Sequence, residues 1–218
     1  MADIKIKGMI FDMDGVIVDS MSMWRGILPG ISEELGIEID EELSSQVQAM
    51  SIAISSQFIV DKFGLDITPE EIIEKVNRKI TAFYRNYATL KPGAHDLMPL
   101  VRMKQIKVCL ATATPKDLAS AALNKNDIRE SFPKIITVGE IGKGKAEPDI
   151  FEAALDYLGT APEETLVVED SEIAIRTAHD LGMKTCAVYD GVNDSLLDTV
   201  SDIVDIKIRS LDELIEYI

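Results

Sequence analysis

Cysteine and histidine each occur only twice and tryptophan once, so the chain has little of the usual stock for disulfides or for thiolate and imidazole metal centres. Cys109 and Cys186 both fall in apolar, strand-like runs, which reads as two buried free thiols in a reducing compartment. No apolar run approaches the roughly 18 residues that span a bilayer. Met1-Ala2-Asp3-Ile4-Lys5 does not open a signal peptide, and a cytoplasmic protein is expected. Cations are also in short supply: 22 Lys and Arg stand against 38 Asp and Glu, a net charge of −16. Nucleic acid and anionic membranes need clustered cations, so neither is expected as a partner. An anionic small substrate would need local cations to overcome this field, which singles out any lysine near an acidic cluster. What is present is ordinary. With 46% hydrophobic and 28% charged residues, 218 residues suffice for one full core plus an insertion, and a monomer is the favoured state.

The apolar run Gly8–Phe11 predicts a short buried strand, and after it the pattern turns helical from Ser20 to about Tyr87. Thr68-Pro69-Glu70-Glu71 is a helix start, with Thr68 as N-cap and Pro69 at the first helical position, and that helix should run to about Tyr84. This stretch predicts an inserted subdomain of about four helices, closed by Leu90-Lys91-Pro92-Gly93. Beyond Pro92 helix and strand alternate, as a parallel α/β sheet requires. Helices are expected at Ala94–Met103, Asp117–Asn124, Ile150–Leu158, Glu172–Leu181 and Leu211–Tyr217. Strands are expected at Ile106–Ala111, Ile135–Val138, Thr165–Val168, Lys184–Val188 and Ile203–Ile206. Pro99 should kink or split the first of these helices.

Ligands of open parallel sheets bind beyond the carboxyl ends of the strands. The first strand ends in Asp12 and Asp14, which share a face, followed by Gly15 for the turn. Two carboxylates so close need a cation or a shared proton, and an all-oxygen pair suits Mg²⁺. The second strand ends in Thr112-Ala113-Thr114, where a hydroxyl and the N–H groups of Ala113 and Thr114 suit a phosphoryl oxygen. The third leads towards Lys143 and Lys145, and the fourth ends in Glu169-Asp170-Ser171. Asp170 or Ser171 alone could simply cap the following helix. Gly139 to Lys145 matches Walker A spacing but fails at Ala146, where a hydroxyl should bind Mg²⁺, so Gly139–Gly144 is read as a flexible loop that lets Lys145 reach the acids. His95 and His179 lack matching ligand partners and read as surface or helix-packing residues. Trp24, beside Met21 and Met23, lines a substrate pocket or packs the inserted helices. Asp19 and Ser20 are expected to shape the turn into the insertion rather than to act in catalysis.

Four stretches carry a family resemblance: Asp12-Met13-Asp14-Gly15-Val16-Ile17-Val18-Asp19-Ser20, Leu110-Ala111-Thr112-Ala113-Thr114, Gly144-Lys145-Ala146-Glu147-Pro148-Asp149-Ile150-Phe151 and Val168-Glu169-Asp170-Ser171. In that order they resemble a haloacid dehalogenase superfamily phosphohydrolase of the β-phosphoglucomutase-like group. The resemblance implies an α/β, Rossmann-like parallel sheet core at residues 1–17 and 89–218, with an all-helical cap inserted at 18–88. It implies a small phosphorylated metabolite as substrate and Asp12 as nucleophile, forming an aspartyl-phosphate, with Asp14 as general acid and base. Thr112, Ala113 and Lys145 would hold the phosphoryl oxygens, and Mg²⁺ would be bound by Asp12, Asp14 through its carbonyl, Asp170, and Glu169 directly or through water. Departures from the family pattern are Ala146 for a proline, Ala174 for a glycine, Trp24 where the sugar phosphomutases carry a histidine, and Ile52, in Gln48-Ala49-Met50-Ser51-Ile52, where they carry an arginine. These favour simple hydrolysis over mutase activity. Removal of halide from 2-haloacids is disfavoured by Asp14 and the Glu169-Asp170 pair, and the non-enzymatic alternative is an inactive binding protein on the same scaffold.

Overall fold

The computed structural model describes residues 6–48, 50–189 and 196–218; residues 1–5 and Ala49, used in the sequence reading, lie outside these. The chain forms two compact units, 1–21 with 88–218, and 22–87.

The first unit is built on six strands: β1 (Gly8–Phe11), β2 (Lys107–Thr112), β3 (Ile135–Thr137), β4 (Thr165–Glu169), β5 (Lys184–Val188) and β6 (Ile206–Ile208). All neighbours pair in parallel, in the order β3-β2-β1-β4-β5-β6. The central strands are buried on both faces, which is why β1, β4 and β5 read as continuous apolar runs instead of alternating ones. On one face Ile10, Cys109, Ala111 and Val167 meet Ile150, Phe151 and Ala154 of α8 (Asp149–Leu158) and Ala174 and Ala178 of α9 (Glu172–Asp180). Phe11 packs edge-on against Phe132, with ring centroids 5.9 Å apart. Both cysteines are buried and unbridged.

The second unit continues from α1 (Met21–Leu35) through α2 (Glu41–Gln48), α3 (Ile52–Phe63) and α4 (Pro69–Ala82), ending in a π-helical turn, Phe83–Tyr87. Ser51 caps α3, and α4 opens with a reciprocal capping box between Thr68 and Glu71. Ile72, Val76 and Ile80 are its buried stripe. Glu34 pairs with Lys79 at 2.6 Å and Lys75 at 3.1 Å, tying α1 to α4.

Several elements depart from the sequence expectation. The helix Ala94–Met103, α5, runs unbroken through Pro99. The proline removes one N–H from the ladder, but Ala94, Leu97, Met98 and Val101 bury a continuous face that outweighs the lost bond. The following helix, α6, spans Lys116–Lys125. Residues Val138–Ile141 form a helical turn, α7, where a flexible loop was expected, because Thr137 and Glu140 make a second capping box. The last strand lies at Ile206–Ile208, not Ile203–Ile206, because Asp205 turns its carboxylate onto the Thr185 N–H at 2.9 Å before β6 begins. The terminal helix is a 3-10 segment, Leu211–Glu216. Among the described residues no helix is long and apolar enough to cross a membrane.

Candidate active site

The carboxyl ends of β1, β2 and β4 lie side by side, since β1 pairs with both of the others, and this adjacency assembles the site. Asp12 follows the last residue of β1, anchored by its N–H to the Val168 carbonyl at 3.0 Å. Its carboxylate is almost fully buried and is held through Oδ1 by the Lys145 ammonium, which also grips Glu169 Oε1. The lysine side chain is only 14% exposed, so it is no surface lysine; it lies between two buried acids. The second oxygen of Glu169 accepts the N–H groups of Asp170 and Ser171, each at 3.1 Å. That carboxylate therefore caps the turn after β4. Ser171, at the N-cap of α9, makes no side-chain cap bond, so the capping reading does not hold for Ser171.

Asp14 is held differently. Ser20 Oγ donates to its Oδ1 at 2.7 Å and Thr114 Oγ1 to its Oδ2 at 2.6 Å. Sequence reasoning had given Ser20 and Thr114 no such part; Ser20 is wholly buried and touches the second acid directly. A Ser or Thr near a strand end is too common a feature to have signalled this. The Thr114 N–H, expected to face a phosphoryl oxygen, instead donates to Thr112 Oγ1 at 3.0 Å. Ala113 remains exposed and Thr112 is wholly buried. Gly15 has φ +77°, and a Cβ there would stand 1.9 Å from Asp170 Oδ2, so the turn admits only glycine beside that carboxylate.

Carboxylate oxygens of Asp12, Glu169 and Asp170 lie within 4.8 Å of one another. Such a set of hard oxygen donors fits Mg²⁺. Burial pushes the Asp12 carboxyl up; Lys145 opposes this, Glu169 and Asp14 reinforce it, and the outcome is about 7. Burial would lower the Lys145 ammonium, yet Asp12 and Glu169 hold it above the usual lysine range. The cluster sets three carboxylates beside one ammonium, a balance that suits a divalent cation.

Trp24 lies on α1 of the helical unit and is 37% exposed. His95 is exposed, and His179 faces Asp180 at 3.4 Å. A concavity of about 780 Å³, lined by Met98, Arg102, Gln105, Lys107, Glu130 and Tyr157 among others, opens at the start of β2, the opposite end of that strand from Thr112.

Residues 9–188 match the family model described as haloacid dehalogenase-like hydrolase. The chain belongs to that family. As a haloacid dehalogenase-like hydrolase it is 25% identical over 193 residues to the phosphorylated carbohydrates phosphatase of Thermotoga maritima, covering 88% of each chain. It is 28% identical over 193 residues to the beta-phosphoglucomutase of Bacillus subtilis, covering 85% of this chain and 84% of that one. The solved structure of beta-phosphoglucomutase from Clostridium difficile shares the fold, with a TM-score of 0.69, 20% identity, and coverage of 96% of this hydrolase and 93% of that chain.

Proposed function

We propose that this hydrolase is a Mg²⁺-dependent phosphatase that cleaves a small phosphomonoester, a phosphorylated carbohydrate by the name of its Thermotoga maritima relative, through an aspartyl-phosphate. The observation that carries the reading is the pairing at the end of β1. One buried carboxylate, Asp12, is in contact with a buried lysine, and a second, Asp14, is held by two hydroxyls.

Asp12 supplies the nucleophilic oxygen. Its bond to phosphorus forms as the bond from phosphorus to the leaving oxygen breaks, and Asp14 gives its proton to that oxygen. A water then attacks the phosphorus of the aspartyl-phosphate, Asp14 takes the water's proton, and the bond to Asp12 breaks to free phosphate. Lys145, with the Thr112 hydroxyl and the Ala113 N–H, balances the charge on the phosphoryl oxygens. Asp12, Asp170 and the carbonyl of Asp14 would hold Mg²⁺, with Glu169 direct or through water; bound there, the ion would neutralise the acids and polarise the phosphoryl group. Trp24 is proposed as a substrate contact.

Phosphomutase activity is the second reading, favoured by the similarity to the Bacillus subtilis enzyme and opposed by Ile52 and Trp24. A panel of phosphorylated metabolites assayed with Mg²⁺, beside EDTA and Asp12→Asn controls, tests both. The phosphatase reading expects phosphate release that EDTA and Asp12→Asn abolish. Full activity in Asp12→Asn would overturn the mechanism, and isomerised sugar phosphate without free phosphate would establish the mutase.

A further inference from the structure

Asp14 stands in the turn after β1, its backbone bridged to Val18. Both of its carboxyl oxygens are tied, and the two ties differ in origin. Ser20 belongs to the same turn as Asp14, six residues further on. Thr114 lies 100 residues away in the chain, just past β2, so its hydroxyl refers the acid to a different strand. Thr114 is itself fixed by its N–H on the hydroxyl of Thr112, and its side chain is buried. An unbroken series of contacts therefore runs from Thr112, through Thr114, to Asp14 Oδ2.

We propose that Thr114 is a positioning residue: its hydroxyl sets the direction of the Asp14 carboxyl relative to the phosphoryl group that Thr112 would hold, and so governs proton delivery to the leaving oxygen. The inference rests on Asp14 being the general acid of the reaction proposed above. A carboxyl anchored on both oxygens cannot rotate about its Cβ–Cγ bond without breaking an anchor. Without Thr114 Oγ1 the carboxyl loses its tie to the residues after β2.

The consequence is selective for the leaving group. A sugar alkoxide is a poor leaving group and needs a proton as it departs, whereas the nitrophenolate of p-nitrophenyl phosphate departs without one. The test compares kcat/KM, which reports the first chemical step, for p-nitrophenyl phosphate and for the sugar phosphate hydrolysed fastest in the metabolite panel. Thr114→Val keeps the side-chain shape and removes the hydroxyl. It should lower kcat/KM for the sugar phosphate about tenfold more than for p-nitrophenyl phosphate, a fraction of what a general acid supplies. Thr114→Ser, which restores a hydroxyl, should recover most of the difference. Both substrates are measured on one preparation, so a partly unfolded sample cancels from the ratio. Asp14→Asn, measured alongside, should show the same discrimination more strongly. Equal losses on both substrates in Thr114→Val, with discrimination intact in Asp14→Asn, would overturn the role of Thr114 alone. No discrimination in Asp14→Asn would overturn the acid assignment and this inference with it.

Discussion

Replacing Asp12 with asparagine should stabilise the metal-free protein at alkaline pH while abolishing its activity. A carboxyl that ionises near pH 7 in the folded chain and near 3.8 in the unfolded one binds its proton more tightly when folded. From about pH 4 to pH 7 the unfolded state has already given up that proton and the folded state has not, so stability falls as pH rises through this window and the full cost is present above it. The cost is bounded at about 4 kcal/mol. Asparagine is neutral at every pH and escapes it, but Lys145 then keeps only Glu169 as a carboxylate partner, which returns part of the gain. A net stabilisation of about 2 kcal/mol at pH 8 follows, worth roughly 4–8 °C in a chain of this size. It should shrink towards zero at pH 5. Urea unfolding of both proteins in EDTA, at pH 5 and pH 8, measures the difference. Saturating Mg²⁺ should narrow it, because the ion stabilises only the protein that retains Asp12. If Asp12→Asn gained no stability relative to its parent between pH 5 and pH 8, the account of Asp12 as a strained buried acid would be wrong.

Lys145→Met removes the cation between Asp12 and Glu169 and should destabilise the metal-free protein by about 3 kcal/mol at pH 8, less at pH 5 where Asp12 is protonated, as read by the same urea titrations. Gly15→Ala should cost about 1–3 kcal/mol and most of the activity, since the new Cβ needs both a positive φ and the place of Asp170 Oδ2; wild-type Mg²⁺ affinity in that variant, measured by titration calorimetry, would contradict the geometry. Burial pushes the Cys109 thiol up to about 12 and raises Cys186 as well, so at pH 8 an aromatic disulfide reagent should label neither in the native protein and both in denaturant.

The placement of Asp12, Thr112 and Asp170 was legible because each closes or follows an apolar run that a parallel sheet must bury, and strand ends are where such sheets present side chains; Lys145 was singled out because the acids there call for a cation. The partners of Asp14 were not. Whether a hydroxyl at Ser20 or Thr114 shapes a turn or reaches a carboxylate depends on how the loops after β1 and β2 fold back, which local pattern does not encode. Pro99 does not split its helix for a related reason: its local penalty was clear, while the burial that offsets it is tertiary. The strand expected at Ile203–Ile206 was an apolar run of another kind, for Ile203 and Val204 pack as a turn against Ile175, Ala187 and Val200. Strand pairing with β5 begins just after Asp205, at Ile206.

The central position of β1 has a bearing on synthesis. β1 is made well before β4, one of its two neighbours, and Asp12 meets a lysine 133 residues further along the chain. The helical unit between them closes within its own stretch of sequence. A growing chain therefore carries Asp12 through 133 residues of synthesis before Lys145 is added, and longer before Glu169 and Asp170 are. The three carboxylates at the end of the sheet come together only in a chain that extends past Asp170, so a chain that ends before Thr165 lacks two of them.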